Sequence, residues 1–166
     1  MTDRIVIMGV SGCGKSTVGA ALAKRLGGMF QDGDDFHPGA NIRKMSNGEP
    51  LTDADRWPWL DRVGQELGGP DHGCLVMACS ALKTAYRDRL RQQAGREVVF
   101  VLLQGSQEFI AQRMQARSGH FMPPDLLQSQ FDALEAFGPQ ETAVTVDIVE
   151  SVDDIVEQIC QGLKRL

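Results

Sequence analysis

The chain has 166 residues, of which 42% are hydrophobic and 23% are charged, a composition typical of a single soluble globular domain. Its formal net charge of −5 argues against a general nucleic-acid-binding protein, which needs surplus Lys and Arg to contact phosphates. The longest apolar stretch, VVFVLL at 98–103, is too short to cross a bilayer, and the polar start MTDR shows no secretory signal.

Apolar runs and helical periodicity alternate along the chain, beginning with a predicted strand over 4–8 and a predicted helix over 15–26. The later predicted strands cover 29–32, 74–79, 97–103 and 144–149. The later predicted helices cover 81–94, 106–117, 125–136 and 152–164. Near-continuous apolar strands separated by helices indicate an α/β fold with a parallel sheet covered on both faces.

Two stretches interrupt this alternation, 38–70 and 118–136, and both are rich in polar, cationic and aromatic residues. We expect the first to be a substrate-binding segment and the second, with the end of the preceding helix from about 113, to be a mobile lid. The four cysteines form neither a CxxC nor a Cys/His metal pattern. We therefore expect reduced thiols and a cytosolic protein.

A phosphate-binding loop follows the first strand, where GVSGCGKST completes the pattern G-x-x-x-x-G-K-[ST]. Such a loop turns its backbone N–H groups toward phosphate oxygens, aided by the N-terminus of the following helix. Lys15 should reach the β- and γ-phosphates, and the Ser16 hydroxyl should bind Mg²⁺. The predicted ATP-binding residues are Gly9, Val10, Ser11, Gly12, Cys13, Gly14, Lys15, Ser16 and Thr17. A glycine-rich turn that precedes a helix by chance is the alternative.

The acidic residues that could complete this site follow the second predicted strand, in the stretch QDGDD at 31–35. No N-K-x-D motif specifies guanine, and no acidic residue follows the strand at 74–79, so the common GTPase and ATPase arrangements are absent. Ligands of open α/β sheets bind at the carboxyl ends of strands, which places Asp32 and Asp34 beside the phosphate loop. We assign Asp32 to the Mg²⁺ shell and Asp34 to the acceptor hydroxyl; solvated turn residues are the alternative.

Two arginines, Arg113 and Arg117, lie four residues apart at the end of a predicted helix, directly before SGHFMPP. Like charges at this spacing repel weakly, and a bound polyanion would reverse that cost. Arginines on a closing lid suit phosphoryl transfer, in which charge spreads over the γ-phosphate oxygens. A solvated basic helix end is the alternative. Together these features favour a small-molecule kinase.

Several segments in the same order resemble the gluconokinase family, small P-loop enzymes related to shikimate and nucleoside monophosphate kinases. The segments are MGVSGCGKST (8–17), DGDDFHP (32–38), GEPLTDADRWPWL (48–60), CSALKTAYRDRLR (79–91) and RMQARSGHFMPPDLLQSQFDALE (113–135). The resemblance covers about residues 5–142. It implies a single three-layer P-loop domain over 1–166 that uses ATP and Mg²⁺ to phosphorylate D-gluconate at its 6-hydroxyl. It further implies a cytosolic protein that is often a homodimer.

The resemblance also suggests which residues bind the sugar acid, a chain of hydroxyls that ends in a carboxylate. Arg56, Lys83 and Arg87 are candidates for the carboxylate, with Arg56 favoured. The candidates for the other polar contacts are Asp34, His37, Asn41, Lys44, Ser80, His120 and Gln130. For His37 helix capping is an alternative role, for Lys44 a solvated helix position, and for His120 exposure on an open lid.

The stretch at 52–58 carries two further expectations. Thr52 and Asp55 fit a helix-capping box, and Pro58 should kink the following helix or delay its start. Two other functions stay open: a kinase for another hydroxy acid such as shikimate, and a nucleotide-binding regulatory module without phosphoryl transfer.

Overall fold

One parallel sheet organises the part of the chain that the computed structural model describes, residues 3–70, 73–116 and 124–166. Its five strands are β1 (Arg4–Met8), β2 (Met29–Asp32), β3 (Leu75–Ala78), β4 (Val99–Gln104) and β5 (Ala143–Asp147). They lie in the order β2-β3-β1-β4-β5, and every neighbouring pair is parallel. The predicted α/β class, with about five parallel strands, is confirmed.

Helices connect the strands and cover both faces of the sheet. They are α1 (Lys15–Leu26), α2 (Gly39–Ser46), α3 (Asp53–Leu67), α4 (Thr84–Ala94), α5 (Gln107–Ala116), α6 (Pro124–Ala133) and α7 (Val152–Leu163), with a short 3₁₀ turn at Gly33–Phe36. Among the described residues, none of these helices combines the length and apolar character that a bilayer crossing requires.

The central strand β1 shows why the domain has three layers. All five of its residues are buried, and their side chains point alternately to opposite faces of the sheet. Ile5 and Ile7 belong to a core with residues of α1 and α7, whereas Val6 and Met8 belong to a second core with residues of α3 and α4. Because all strands run in the same direction, their carboxyl ends share one edge, where the polar residues gather.

The segment 38–70 contains most of the differences between expectation and structure. It forms two helices, α2 and α3, and the second begins at Asp53. The predicted capping box is present, since the Asp55 N–H donates to Thr52 Oγ1 at 3.2 Å and the Thr52 N–H donates to Asp55 Oδ2 at 2.9 Å. Pro58 lies inside α3, so the expected delay in the helix start is wrong: the cap fixes the start upstream of the proline.

A smaller difference concerns α4, which begins at Thr84 and not at residue 81. Ala81 has a φ of 46°, in the left-handed region that non-glycine residues rarely adopt. Residues 79–83 therefore form a turn after β3, which brings Ser80 and Lys83 to the carboxyl edge of the sheet.

Behind this turn lies a buried ion pair between Arg87 and Glu141, whose side chains are 0% and 4% exposed. The guanidinium donates to Glu141 at 2.8 and 3.1 Å and to the Ala81 and Leu82 carbonyl oxygens at 3.1 Å. Since Arg87 is fully buried and its donors serve the protein, its assignment to the substrate carboxylate is corrected. It fastens the turn after β3 to the segment before β5.

We predict that Glu141→Gln lowers the free energy of unfolding by roughly 3 kcal/mol, the cost of leaving one partner of a buried pair without its charge. Urea denaturation at pH 7 measures this change. Glu157→Gln is the matched control, because its pair with Arg25 is exposed and such pairs contribute at most about 1 kcal/mol. Equal small losses in both variants would contradict a structural role for the Arg87 pair.

The same pair predicts a pH dependence. Burial alone would raise the pKa of Glu141, yet hydrogen bonds from Arg87, the Gly138 N–H and Arg91 lower it to about 2 from its ordinary 4.5. A lowered folded-state pKa means that the stabilisation is complete above pH 4.5 and is lost as the pH falls toward 2. Wild-type protein should therefore lose more stability over this window than Glu141→Gln.

Candidate active site

A cavity of about 570 Å³ opens at the carboxyl ends of β1, β2 and β3. Its walls come from the loop after β1, the 3₁₀ turn after β2, the end of α2 with the segment 48–51, the turn after β3, and the helices α3, α4 and α6. The predicted site residues that line it are Ser11, Lys15, Ser16, Asp32, Asp34, His37, Arg56, Ser80, Lys83 and Gln130. The topology thus brings residues from several distant sequence motifs to one cavity.

The phosphate loop owes its shape to glycines at each end. Gly9 has a φ of 145°, and a Cβ there would lie 2.8 Å from Cys13 Sγ and 3.0 Å from the Leu103 carbonyl oxygen. Gly14 has a φ of 97° and has no side chain to cap α1, which leaves the first N–H groups of that helix available to an anion. Lys15 Nζ donates to the carbonyl oxygens of Gly9 and Val10, both at 3.0 Å.

The other loop residues have packing roles for their side chains. Val10 and Cys13 are buried, and burial raises the pKa of the Cys13 thiol despite the nearby Lys15 ammonium. A Cβ on Gly12 would lie 2.6 Å from Met114 Cγ, so α5 packs closely over the loop. Thr17 is exposed on the first turn of α1. The buried Val10 and Cys13 and the closely packed Gly12 can serve a phosphate only through their backbone or through the shape they give the loop.

The Asp32 carboxylate, at the end of β2, contacts the start of α1. Ser16 Oγ donates to Asp32 Oδ2 at 2.9 Å, and Asp32 Oδ1 accepts the Asp34 N–H at 3.0 Å. Mg²⁺ prefers oxygen ligands and retains waters and phosphate oxygens, so the Ser16–Asp32 pair fits that ion. Across residues 3–70, 73–116 and 124–166, no group of three or more His, Cys, Asp or Glu side chains could hold a metal by itself.

The Asp34 carboxylate points into the open cavity, where its side chain is 81% exposed. Burial among the cavity walls and the neighbouring Asp32 charge raise the pKa of Asp34, while His37 and Lys15 oppose the rise. Because water enters the open cavity, the effect of burial on the pKa of Asp34 is complete only when a ligand fills the space. Asp34 is therefore placed to contact a ligand.

His37 is buried in the wall beside Asp34. Its ring stacks on Trp59 with centroids 4.2 Å apart, and its Nε2 lies 3.8 Å from Asp34 Oδ1. Trp59 Nε1 in turn donates to the Gly33 carbonyl oxygen at 2.7 Å. Burial lowers the pKa of His37, against the effect of the Asp34 charge.

Asn41 and Lys44, predicted substrate residues on α2, do not line the cavity. Asn41 is 2% exposed, and its Nδ2 contacts His37 Nδ1 at 3.2 Å and the Asp55 carbonyl oxygen at 3.0 Å. Lys44 Nζ lies 2.7 Å from Asp55 Oδ2, and this hydrogen bond, with those of Thr52, lowers the pKa of Asp55 to about 2. The assignment of the buried Asn41 is corrected, because its side chain joins α2 to the start of α3; Lys44, which is 36% exposed, stays a prediction outside the cavity lining.

A cationic wall is formed by Arg56 and Lys83 around Tyr86, a residue that sequence reasoning missed. Tyr86 OH donates a short hydrogen bond to Asp53, and Arg56 Nη1 donates to Tyr86 OH and to Asp53 Oδ1 at 3.3 Å. Lys83 Nζ lies 3.8 Å from Asp53 Oδ2. Burial and the bond to Asp53 raise the pKa of Tyr86 to about 12. The only sequence signal was its place on α4, one turn after Lys83.

The lid residues fall partly within the described chain. Gln130 on α6 contacts the phosphate loop through both ends of its amide, at 2.7 Å to the Ser11 N–H and 2.9 Å to Ser11 Oγ. A methyl group built on Gly14 would lie 3.7 Å from Arg113 Nη2, so this arginine lies near the loop. The predicted residues Arg117 and His120 lie outside the described residues.

Comparison with known proteins identifies the family. A family model described as an AAA domain matches residues 5–122. The Gluconobacter oxydans gluconokinase is 46% identical over 93% of this chain and 88% of its own. A crystal structure of a gluconokinase from Sinorhizobium meliloti 1021 superposes with a TM-score of 0.89 at 49% identity, over 98% of this chain and 91% of that one.

A more distant likeness concerns the fold alone. Shikimate kinase from Aquifex aeolicus vf5 superposes with a TM-score of 0.62 at 15% identity, over 98% of this chain and 96% of that chain. The two gluconokinases, by contrast, exceed 40% identity over nearly the whole chain, and the one with a solved structure also matches its fold. This chain therefore belongs to the gluconokinase family of P-loop kinases.

Proposed function

We propose that this chain is a gluconokinase, which transfers the γ-phosphoryl group of ATP to the 6-hydroxyl of D-gluconate and releases 6-phospho-D-gluconate and ADP. The observation that carries the proposal is the meeting, in one cavity, of a phosphate loop, the Asp34 carboxylate and the cationic wall of Arg56 and Lys83. Relatives named gluconokinase, at 46% and 49% identity, support the substrate.

The phosphate end of the cavity would position the nucleotide. Lys15 exchanges its bonds to the loop carbonyl oxygens for phosphate oxygens, and the uncapped N-terminus of α1 receives negative charge. Ser16 and Asp32 would hold Mg²⁺, which neutralises charge on the phosphates when bound. Arg113, and with it Arg117, are proposed to approach the transferring group from the lid.

Asp34 is proposed to orient the acceptor hydroxyl for in-line attack. Because the transition state of phosphoryl transfer is loose, the carboxylate contributes mainly by holding the hydroxyl against the γ-phosphate and by accepting its proton as the bond forms. Its exposure in the open cavity lets a substrate hydroxyl reach it.

The cationic wall would bind the substrate's carboxylate. Arg56 and Lys83 offer N–H donors, and charged hydrogen bonds to a carboxylate are among the stronger polar contacts. Within the described part of the chain, the carboxylate that pairs with both cations is Asp53, which is itself 49% exposed, so the cations stay accessible from the cavity. Ser80 and Gln130 supply polar groups for the hydroxyl chain between the two ends, while His37 lies in the cavity wall beside Asp34.

Two other functions are separated from this one by a single screen. The same cations would suit another small hydroxy acid such as shikimate, and a regulatory module would bind ATP without turnover. ADP release should be measured with D-gluconate, shikimate and other aldonic acids. The highest kcat/KM with D-gluconate is expected, and the absence of turnover with every acceptor would favour the module.

Homodimer formation, Mg²⁺ dependence and a cytosolic location are parts of this proposal that rest on the family resemblance. Light scattering coupled to size-exclusion chromatography tests the first, and turnover after chelation with EDTA and restoration by added Mg²⁺ tests the second.

We predict that Asp34→Asn lowers kcat by about a hundredfold or more, because the amide cannot accept the hydroxyl proton. The KM for ATP should stay nearly unchanged, since Asp34 contacts the acceptor. Asp35→Asn is the matched control, because Asp35 is exposed and outside the cavity lining. Most of the turnover remaining in Asp34→Asn would remove Asp34 from this role.

Lys15→Ala should impair nucleotide binding and turnover together, because its ammonium serves the phosphates in both the ground state and the transition state. ATP binding by calorimetry and steady-state kinetics measure the two effects. The control is Lys24→Ala, an exposed lysine in the last turn of the same helix. Unchanged kinetics in Lys15→Ala would refute the loop assignment.

Arg56→Gln should raise the KM for gluconate by roughly tenfold to a hundredfold, the loss expected for one charged hydrogen bond. The KM for ATP should change little, because Arg56 lies in the wall formed by α3. Arg43→Gln, on the exposed face of α2, is the control for removing one positive charge. If the KM for gluconate is unchanged in both variants, Arg56 does not bind the carboxylate.

A further inference from the structure

The polar contacts of His37 determine which of its two ring nitrogens carries the hydrogen. Asn41 Nδ2 lies 3.0 Å from the Asp55 carbonyl oxygen, which can only accept, so this end of the amide must be the NH₂ group. The same Nδ2 lies 3.2 Å from His37 Nδ1. Its second hydrogen therefore points to Nδ1, which must present a lone pair. The neutral ring then carries its hydrogen on Nε2.

The surroundings keep the ring neutral. A protonated imidazole would set an Nδ1–H against the N–H of Asn41, donor against donor. The side chain is 4% exposed and stacks on the uncharged Trp59. Of the residues that the structure describes, the charged groups that act on the ring are Asp34 from the 3₁₀ turn and Arg56 from α3. Burial and Arg56 lower the pKa of His37, and Asp34 opposes them.

The ring is also fixed in direction. Trp59 covers one face at 4.2 Å with an interplanar angle of 16°, and Trp59 is itself anchored to the Gly33 carbonyl oxygen at 2.7 Å. With Nδ1 held by Asn41, the Nε2–H can only point toward the cavity, where Asp34 Oδ1 lies 3.8 Å away. This distance exceeds a hydrogen bond, and such contacts in ligand-free sites commonly tighten when the substrates bind.

We propose that His37 is a positioning residue whose Nε2–H donates to Asp34 in the substrate complex, with Asn41 fixing the tautomer and Trp59 the ring plane. The inference rests on the proposed function, because it assigns to Asp34 the acceptor hydroxyl. One carboxylate oxygen is held by His37, which leaves the other directed at the hydroxyl. No proton leaves the histidine; it acts only through the orientation of Asp34.

The tautomer is tested without any activity measurement. Long-range ¹H–¹⁵N correlation spectra of the ¹⁵N-labelled wild-type protein at pH 7 should contain the pattern of a neutral Nε2–H imidazole, assigned to His37 by its loss in His37→Phe. A pattern of the Nδ1–H tautomer, or of an imidazolium, would overturn the proposal.

The positioning role is tested by a double-mutant cycle with D-gluconate and ATP. His37→Phe keeps a planar ring against Trp59 without the donor, and it should lower kcat roughly tenfold with an unchanged KM for ATP. His37→Gln restores an N–H donor and should recover at least a third of the loss. In the Asp34→Asn background, His37→Phe should lower kcat less than twofold, because the carboxylate it orients is gone.

These experiments distinguish a failure of the positioning role of His37 from a failure of the proposed function. Equal losses from His37→Phe with and without the Asp34 carboxylate would show that the histidine acts by another route and overturn the inference. Wild-type protein without turnover of gluconate would overturn the proposed function, while the spectra would still report the tautomer. Thermal unfolding of each variant identifies a loss that comes from misfolding, and His37→Gln then decides the question.

Discussion

The hydrogen bonds of the Asp32 carboxylate hold the two halves of the catalytic site together. One oxygen accepts from the Ser16 hydroxyl at the start of α1, and the other accepts from the Asp34 N–H. The phosphate loop follows β1 and Asp34 follows β2, and this one side chain connects them. It can do so because β1 and β2 are parallel to β3 between them, which brings their carboxyl ends to the same edge.

The arginines and lysines near the cavity differ in how deeply their ion pairs are buried. Arg87 is buried against Glu141 and has no surface left for a ligand, whereas Arg56 and Lys83 share the half-exposed Asp53 at 3.3 and 3.8 Å. A buried ion pair holds the segments that carry it in fixed positions, whereas an exposed pair contributes little to stability. The loose pair therefore keeps its cations accessible, as the proposed contact with a substrate carboxylate requires.

This difference explains which parts of the site the sequence could predict. The alternation of strands and helices predicts the sheet, and the phosphate-loop pattern predicts the place of Lys15. The direction of the strands places the acidic turn beside that loop. These features depend only on short-range spacing and strand direction, so the sequence is enough to predict them. Arg87 could not be told from Lys83 by its motif, since its partner, Glu141, is 54 residues away. The prediction that Asn41 binds the substrate was wrong for the same reason. Its partners, the His37 ring and the Asp55 carbonyl oxygen, come together only when α2 packs against α3.

Several polar groups of the cavity already bind other groups of the protein. Lys15 binds loop carbonyl oxygens, the Ser11 N–H binds Gln130, and Ser16 binds Asp32. A phosphate that enters must exchange these partners one for one, so the net gain per hydrogen bond is modest. Tight binding then has to come from charge and from geometry that is already in place. The proposed role of His37 follows the same principle. Its tautomer and orientation beside Asp34 are set by the fold, so binding of the sugar acid has no cost for ordering this side chain.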